Sequence, residues 1–356
     1  MLRTSRAAAL LALVVAVLTI TAAPAQAHGA DAKPGASDYR SAITAITPET
    51  EGLTIRVVEN GARLELRNHT DQDVVVSGYS GEPYLKVTPA GVFTNTRSPA
   101  TWINATADGT SKAPASAHVD TAAEPQWQKV ASTPKIRWHD QRNRWVSGSP
   151  PPIVAADPSS AHRISTWKID LLVAGTATVV TGTLDYEAPP ATPLWWAGAG
   201  LVAAGLFALT YFRGGRPAAR RIVAAALGVA ALAELTDAVG RTLVEGATGI
   251  GVLTALLTGQ GVGVLVGVAA LSAAVLALGG ADAGPFAVAF AGACLALLGG
   301  LPDYDVFAHA VAPVPWPGPV ARVLAVLVLG GSVGAALSAW WWLLRARRAA
   351  AARAAA

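Results

Sequence analysis

Five long apolar segments in the C-terminal half constrain the fold of this chain more than any other feature. They lie after residue 190 and are dominated by Ala, Leu, Val and Gly. About 20 apolar residues cross a bilayer as a helix, and a helix pairs its own backbone polar groups where no water is present. The segments predict an all-α transmembrane bundle of about five helices within residues 191–348. The predicted spans are 194–212, 222–240, 259–279, 284–301 and 321–343.

Overall composition agrees with a lipid environment for this half. Hydrophobic residues make up 52% of the 356 residues and charged residues only 14%, whereas soluble globular proteins carry about 25% charged residues. The predicted partner of the apolar half is therefore a lipid bilayer. No basic surface interleaved with aromatic residues is present in the sequence, so we do not expect nucleic-acid binding.

The arginines predict the orientation of the bundle. Of the ten arginines after residue 190, eight flank the inner ends of the first and fifth predicted spans. Cytoplasmic loops carry an excess of Lys and Arg. We therefore predict a multi-pass protein of the cell membrane with an extracellular N-terminal domain and a cytoplasmic tail at 349–356. The eight arginines are Arg213, Arg216, Arg220, Arg221, Arg345, Arg347, Arg348 and Arg353.

The first 27 residues have the pattern of a signal peptide. Arg3 and Arg6 precede an apolar run at 7–20, and Ala25-Gln-Ala27 follows as a small-x-small cleavage motif. Cleavage after this motif would leave His28 as the mature amino terminus.

Residues 28–190 are typical of a β-rich exported domain. Segments 53–58 and 62–67 alternate apolar and polar residues around Asn60-Gly61, a dipeptide that suits a hairpin turn. Segments 163–171 and 177–186 predict two further strands joined near Gly175. Short strands at this spacing favour an immunoglobulin-like antiparallel β-sandwich.

The predicted mature amino terminus is one candidate metal site. An N-terminal histidine offers an α-amine and an imidazole nitrogen to one ion, a chelate that suits Cu(II). His118 and His139, with Asp140 beside the latter, could complete it. The alternative is that His28 lies on an unstructured tail without a metal.

Signal peptide, N-terminal His28, cysteine-free β-sandwich and C-terminal helices together resemble periplasmic copper-handling proteins of the CopC type, CopC–CopD fusions and YcnI-type proteins. The resemblance covers the architecture and the position of His28, and it implies copper as the ligand. The chain also resembles actinobacterial membrane proteins that carry an Arg-Trp-His-Asp segment. Those relatives have further histidines where this chain has Gln141 and Asn143, which implies fewer metal ligands here.

That segment, residues 137–145, is the second candidate site. In an extended strand His139, Gln141 and Asn143 would share one face. His139 beside Asp140 could be a metal ligand, a general base or part of an anion site with the three arginines of the segment. The alternative is a polar loop whose tryptophans pack on the sandwich.

Ionisable residues in the predicted spans form the third candidate site. Asp237 and Arg241 have the spacing of an ion pair on one helix face, and Glu234 lies deeper in the span. Ionisable groups within a bilayer are costly and often functional. A polar loop that follows the fourth span is expected on the same side. The predicted membrane polar site comprises Glu234, Asp237, Asp303, Asp305 and His309.

Three functions remain open from the sequence. The first is a non-enzymatic, membrane-anchored extracytoplasmic binding protein that handles copper through His28. The second is a structural module of the cell envelope that binds another envelope protein and no metal. The third is a small-solute or ion transporter with Glu234 on its path. We do not expect an enzyme, because no catalytic constellation is present in the sequence.

Overall fold

The computed structural model describes residues 35–114, 116–214 and 216–355. The predicted signal peptide at 1–27 and the predicted amino terminus His28 lie outside these residues. An N-terminal β-domain precedes a helical domain, as the sequence predicts.

Within the described residues, ten antiparallel strands form two sheets. The larger sheet has the order β1-β10-β9-β4-β5-β6-β7, and the smaller has the order β2-β3-β8. The predicted antiparallel β-sandwich is therefore confirmed. The strands are β1 Tyr39–Thr47, β2 Leu53–Val58, β3 Arg63–Asn68, β4 Val74–Ser77, β5 Pro83–Thr88, β6 Gly91–Asn95, β7 Trp127–Ala131, β8 Lys135–Trp138, β9 His162–Val173 and β10 Thr176–Tyr186.

Apolar side chains of the two sheets meet in one core. Leu64 and Leu66 of β3 are fully buried, and Val74 and Val87 are fully buried on the opposite sheet. Burying each such side chain contributes roughly 1.5–3 kcal/mol relative to leaving it in water. This core holds the β-domain together without disulfides, because the sequence has one cysteine, Cys294, and it lies in the helical domain.

The predicted hairpin near Gly175 joins the two longest strands. Residues 163–171 and 177–186 lie in β9 and β10, and Val173 pairs with Thr176. Ala174 and Gly175 form the two-residue turn, with φ of +50° and +81°. Positive φ at both central positions is the geometry that matches the right-handed twist of paired strands.

The described residues also form eight α-helices. Two short ones, α1 Pro99–Ile103 and α2 Pro152–Ala156, belong to the β-domain. Among the residues that the structure describes, five later helices are long and apolar enough to cross a membrane, which confirms the predicted number. The helices of the membrane domain are α3 Thr192–Arg213, α4 Pro217–Val244, α5 Gly251–Gly259, α6 Gly261–Leu278, α7 Gly284–Phe307 and α8 Gly318–Ala355.

The end of α7 differs from the expectation. The sequence predicts a polar loop after residue 301, but Leu301–Phe307 continues the helix as a 3₁₀ segment. Val306 and Phe307 are buried, and the Phe307 ring stacks on Trp195 at 6.4 Å. Apolar packing therefore keeps this segment helical although it contains Pro302 and two aspartates.

The β-domain lies directly on one end of the helical domain. Ser37 and Val311 exchange two backbone hydrogen bonds of 2.9 and 2.7 Å. The carboxylate of Asp38 accepts a 2.9 Å hydrogen bond from the backbone of Ala310. These contacts pair the start of the β-domain with the connection between α7 and α8.

Candidate functional site

His139 follows β8 and is almost fully buried. Its Nδ1 lies 2.9 Å from the carbonyl oxygen of Ala62, and Nε2 accepts a 3.2 Å hydrogen bond from Arg63. Burial lowers the pKa of His139, and the charges of Arg63 and Arg144 lower it further. The imidazole is therefore neutral near pH 7, with Nδ1 as the donor and Nε2 as the acceptor.

Asp140 is also fully buried, and its carboxylate has several donors. Arg142 donates from Nε at 2.8 Å and from Nη2 at 2.7 Å, and its backbone nitrogen donates at 3.1 Å. The indole of Trp138 donates at 3.1 Å. Asp140 therefore orders the chain after β8 through charge-assisted hydrogen bonds.

Of the other two predicted metal ligands, the structure describes His118 alone. His118 is exposed in the connection between α1 and β7, and His28 lies outside the described residues. Within the part of the chain that the structure describes, no group of three or more His, Cys, Asp or Glu side chains is placed to hold a metal ion. A copper site at His28 stays a prediction.

The expectation that alternate residues of 137–145 share one face of a strand is wrong. Strand β8 ends at Trp138, and Gln141–Asn143 forms a 3₁₀ turn capped by the Asp140 side chain. A helical turn does not place alternate residues on one face. The turn instead carries Asn143 and Arg144 to a cavity between β1 and the β2–β3 connection.

This cavity is the β-domain pocket, with a volume of about 190 Å³. Hydroxyl, amide and charged groups line it together with Trp145 and Leu184. Burial raises the pKa of Tyr39 and of Glu59, two of the lining residues. Its polar lining comprises Ser37, Tyr39, Ser41, Glu59, Asn60, Asn143 and Arg144.

Two lining groups lack a matching partner among the residues that the structure describes. Asn143 is fully buried, and its Oδ1 accepts no hydrogen bond from any residue that the structure describes. Arg144 forms no ion pair with a described carboxylate, and its Nη1 lies 3.5 Å from the His139 ring. Burial lowers the pKa of Arg144, and Asp108 offsets this only in part. Sequence reasoning singled out this segment for His139 and missed the pocket, because Tyr39 and Ser41 come from a distant strand.

The predicted membrane polar site divides into two groups. Arg241 binds Asp237 at 2.6 Å on its own helix, as predicted, and Asp303 of α7 at 3.0 Å. Glu234 is nearly fully buried beside this pair, and the cavity that they line measures about 10 Å³. That volume holds about one water molecule.

Glycines make room for Glu234 inside the bundle. A Cβ added at Gly263 would lie 2.5 Å from Oε1 of Glu234, and one at Gly299 would lie 2.9 Å from its carboxyl group. A Cβ at Gly267 would lie 3.0 Å from Leu235. The predicted close packing of Gly263 and Gly267 therefore brings α6 against α4 at the buried carboxylate.

The remaining two residues of the predicted membrane site bind the β-domain. Asp305 accepts a 2.6 Å hydrogen bond from the backbone of Ala36. His309 Nδ1 lies 3.1 Å from the carboxylate of Asp38. Asp305 and His309 therefore hold the two domains together at the start of the β-domain.

A second contact between the domains is the Glu65 cluster, defined here as Glu65 with Arg56, Arg67, Lys135 and Arg137. Glu65 has no exposed surface, and the four basic side chains lie within 2.6–3.1 Å of its carboxylate. Hydrogen bonds from these side chains overcome the effect of burial and lower the pKa of Glu65 to about 2.

The Glu65 cluster also binds the C-terminal end of α4. Arg56 donates to the carbonyl oxygen of Gly246 at 2.9 Å, and Arg137 donates to that of Glu245. Gly246 has a φ of +82°, and a Cβ there would lie 2.5 Å from Arg56. Glycine therefore permits both the helix end and the close approach of the guanidinium, and the cations match the negative end of the helix dipole.

No family model, curated protein or solved structure matches this chain. The resemblance to copper-handling proteins therefore stays a prediction, and the geometry of the chain itself carries the functional argument below.

Proposed function

We propose that this membrane protein is a binding protein whose β-domain pocket takes a small monocarboxylate with an adjacent hydroxyl or amine. The observation that carries the proposal is the pair of unmatched groups in the pocket. Asn143 presents a buried acceptor, and Arg144 presents a half-buried cation. Buried polar groups without partners are rare in folded proteins and call for an explanation.

The charge of the pocket selects the ligand class. A carboxylate beside Arg144 would replace the water that burial removes and form charge-assisted hydrogen bonds. The Oδ1 of Asn143 requires a donor, which a hydroxyl or an amine supplies. Glu59, also in the lining, disfavours a second negative charge on the ligand and favours an ammonium group.

The β-domain pocket is also larger than the cavity near Arg241, which makes it the better binding site of the two. Its volume of about 190 Å³ admits a molecule of several heavy atoms, whereas the cavity near Arg241 measures about 10 Å³. The side chains of Trp145 and Leu184 provide apolar walls. Convergent polar groups beside apolar walls are typical of small-molecule sites.

The proposal is tested by thermal unfolding of the detergent-solubilised full chain with L-serine, L-lactate, acetate or glycerol. We expect L-serine or L-lactate to raise the unfolding temperature, acetate to raise it less, and glycerol to leave it unchanged. Arg144→Gln should weaken the affinity at least tenfold, because hydrogen bonds to charged groups contribute about 1.5–3 kcal/mol.

Arg163→Gln is the matched control, because Arg163 is more than half exposed and pairs with Asp185 on the β9–β10 surface. This variant should bind like the wild type. Equal shifts from L-lactate and glycerol, or equal affinities in the Arg144 and Arg163 variants, would contradict the proposal.

Copper binding through the mature amino terminus is a second candidate, and one position in the structure favours it. Gly35 lines the pocket, and His28 precedes it by seven residues in the sequence. Seven residues span at most about 25 Å, so His28 is within reach of the pocket and of Glu59.

Extending the mature amino terminus by one residue should abolish tight Cu(II) binding, because the α-amine then no longer chelates with the His28 imidazole. Amino-terminal sequencing of the purified protein establishes where the chain begins, and titration with Cu(II) followed by electron paramagnetic resonance measures binding. Equal affinity with and without the extra residue would rule out this site.

A further inference from the structure

Basic side chains outnumber carboxylates in and directly around the Glu65 cluster, among the residues that the structure describes. Four basic side chains surround Glu65. Arg63 adds a fifth, and the carboxylates of Glu59 and Glu245 lie nearby. Among the described residues, five basic side chains and three carboxylates therefore meet at the contact between the domains.

Part of this charge is accessible, and some of its N–H donors have no acceptor among the described residues. The side chains of Arg56, Arg67 and Lys135 are 33%, 26% and 41% exposed. Arg56 and Arg67 each use Nε and Nη2 in their contacts with described residues. Since a guanidinium carries five N–H donors and an ammonium three, Nη1 of each arginine and two protons of Lys135 can bind another acceptor.

The Glu65 cluster lies at the end of a helix that is long enough to span a membrane. It binds the carbonyl groups that end α4, and α4 is one of the five apolar helices long enough to span a bilayer. The cluster therefore lies at the level where this helix leaves the hydrocarbon region, which is the level of the lipid headgroups.

The short helix α5 independently supports the position of the Glu65 cluster at the level of the lipid headgroups. Ile250, Leu253 and Leu257 on and before α5 are 88%, 58% and 57% exposed in the protein alone. Such an apolar surface is covered by lipid when a helix lies in the membrane interface. Gln260, directly after α5, lies 3.5 Å from the Glu245 carboxylate, so the helix adjoins the Glu65 cluster.

We propose that the Glu65 cluster binds the phosphate of an anionic phospholipid headgroup. Arginine forks and a lysine ammonium suit phosphate oxygens, and the lipid tails would pack along α4 and α5. This site is separate from the β-domain pocket and does not depend on the proposed ligand of that pocket.

The test compares phosphatidylglycerol with phosphatidylcholine as stabilising lipids for the full chain in detergent, measured as apparent affinity from thermal unfolding. The wild type should prefer phosphatidylglycerol. Lys135→Gln should reduce this preference about fivefold, which is the contribution of one basic residue near an anionic surface. Arg67→Gln should reduce it similarly, and raising the salt concentration should weaken the preference.

Lys168→Gln is the control, because Lys168 is 71% exposed in the middle of β9, away from the helix ends. It should keep the wild-type preference. If Arg67→Gln prevents folding, the more exposed Lys135 variant decides. Equal affinity of the wild type for both lipids, or an unchanged preference in Lys135→Gln, would overturn the proposal. Binding of inorganic phosphate as tightly as phosphatidylglycerol would overturn the assignment to a lipid.

Discussion

Glu65→Gln is expected to destabilise the β-domain by about 3–5 kcal/mol, which is the cost of breaking a buried ion pair by removing one partner. Glu65 has no exposed surface and binds four basic side chains. A neutral amide leaves those cations close together without a counter-charge. Thermal unfolding of the full chain in detergent, followed by tryptophan fluorescence, should show a decrease of about 10 °C.

The same carboxylate predicts a pH dependence. The pKa of Glu65 is lowered from 4.5 to about 2 in the folded chain, so the folded state binds this proton less readily than the unfolded state. Its stabilising contribution is complete above pH 4.5 and is lost as the pH falls toward 2. The stability difference between wild type and Glu65→Gln should therefore shrink across this range.

Asp170→Asn provides the matched control for both measurements. Its carboxylate is 51% exposed and lies 3.6 Å from Lys168, and exposed ion pairs contribute about 0–1 kcal/mol. We expect at most a small change in the unfolding temperature. If Glu65→Gln unfolds at the same temperature as Asp170→Asn, Glu65 is not the centre of the contact between the domains.

Glu65 also shows what local sequence patterns can and cannot predict. Residues 62–67 alternate apolar and charged residues, which correctly predicts strand β3 with Leu64 and Leu66 in the core. The pattern also suggests that the charged face meets water, yet Glu65 is fully buried. The end of α4, about 180 residues later in the chain, covers that face, and no local pattern encodes this contact.

The membrane helices were more predictable, because a lipid bilayer requires a spanning helix to have a certain length and an apolar composition. All five were expected from apolar runs of about 20 residues, and the Asp237–Arg241 pair follows from its spacing on one helix. The partner Asp303 could not be predicted in the same way, since it comes from α7. Which helices adjoin each other depends on packing, such as that of Gly263 and Gly267 against α4.

The β-domain pocket was the least predictable feature. Asn143 and Arg144 belong to a segment that the sequence singled out, but the expected strand geometry was wrong because Asp140 caps a 3₁₀ turn there. The opposite wall comes from β1, about 100 residues earlier. Sequence alone gives the polar residue types of this site, and the topology of the two sheets brings them together.

Arg241→Gln is expected to destabilise the helical domain by about 3–5 kcal/mol, again because a buried ion pair loses one partner. The Arg241 side chain is only 7% exposed and links Asp237 on α4 to Asp303 on α7. Without it, the carboxylates of Asp237 and Asp303, which are 13% and 31% exposed, lose this cation beside Glu234. Unfolding of the full chain in detergent, followed by circular dichroism at 222 nm, measures the loss.

A comparison with a triple variant distinguishes the ion pairs from simple packing. Adding Asp237→Asn and Asp303→Asn to Arg241→Gln removes the two carboxylate charges that Arg241 binds in the wild type and should recover much of the lost stability. Arg216→Gln is the control, because Arg216 is exposed where α4 begins, and it should change the unfolding temperature little. If the triple variant is no more stable than Arg241→Gln, the packing of the Arg241 side chain, rather than its charge, holds α4 and α7 together.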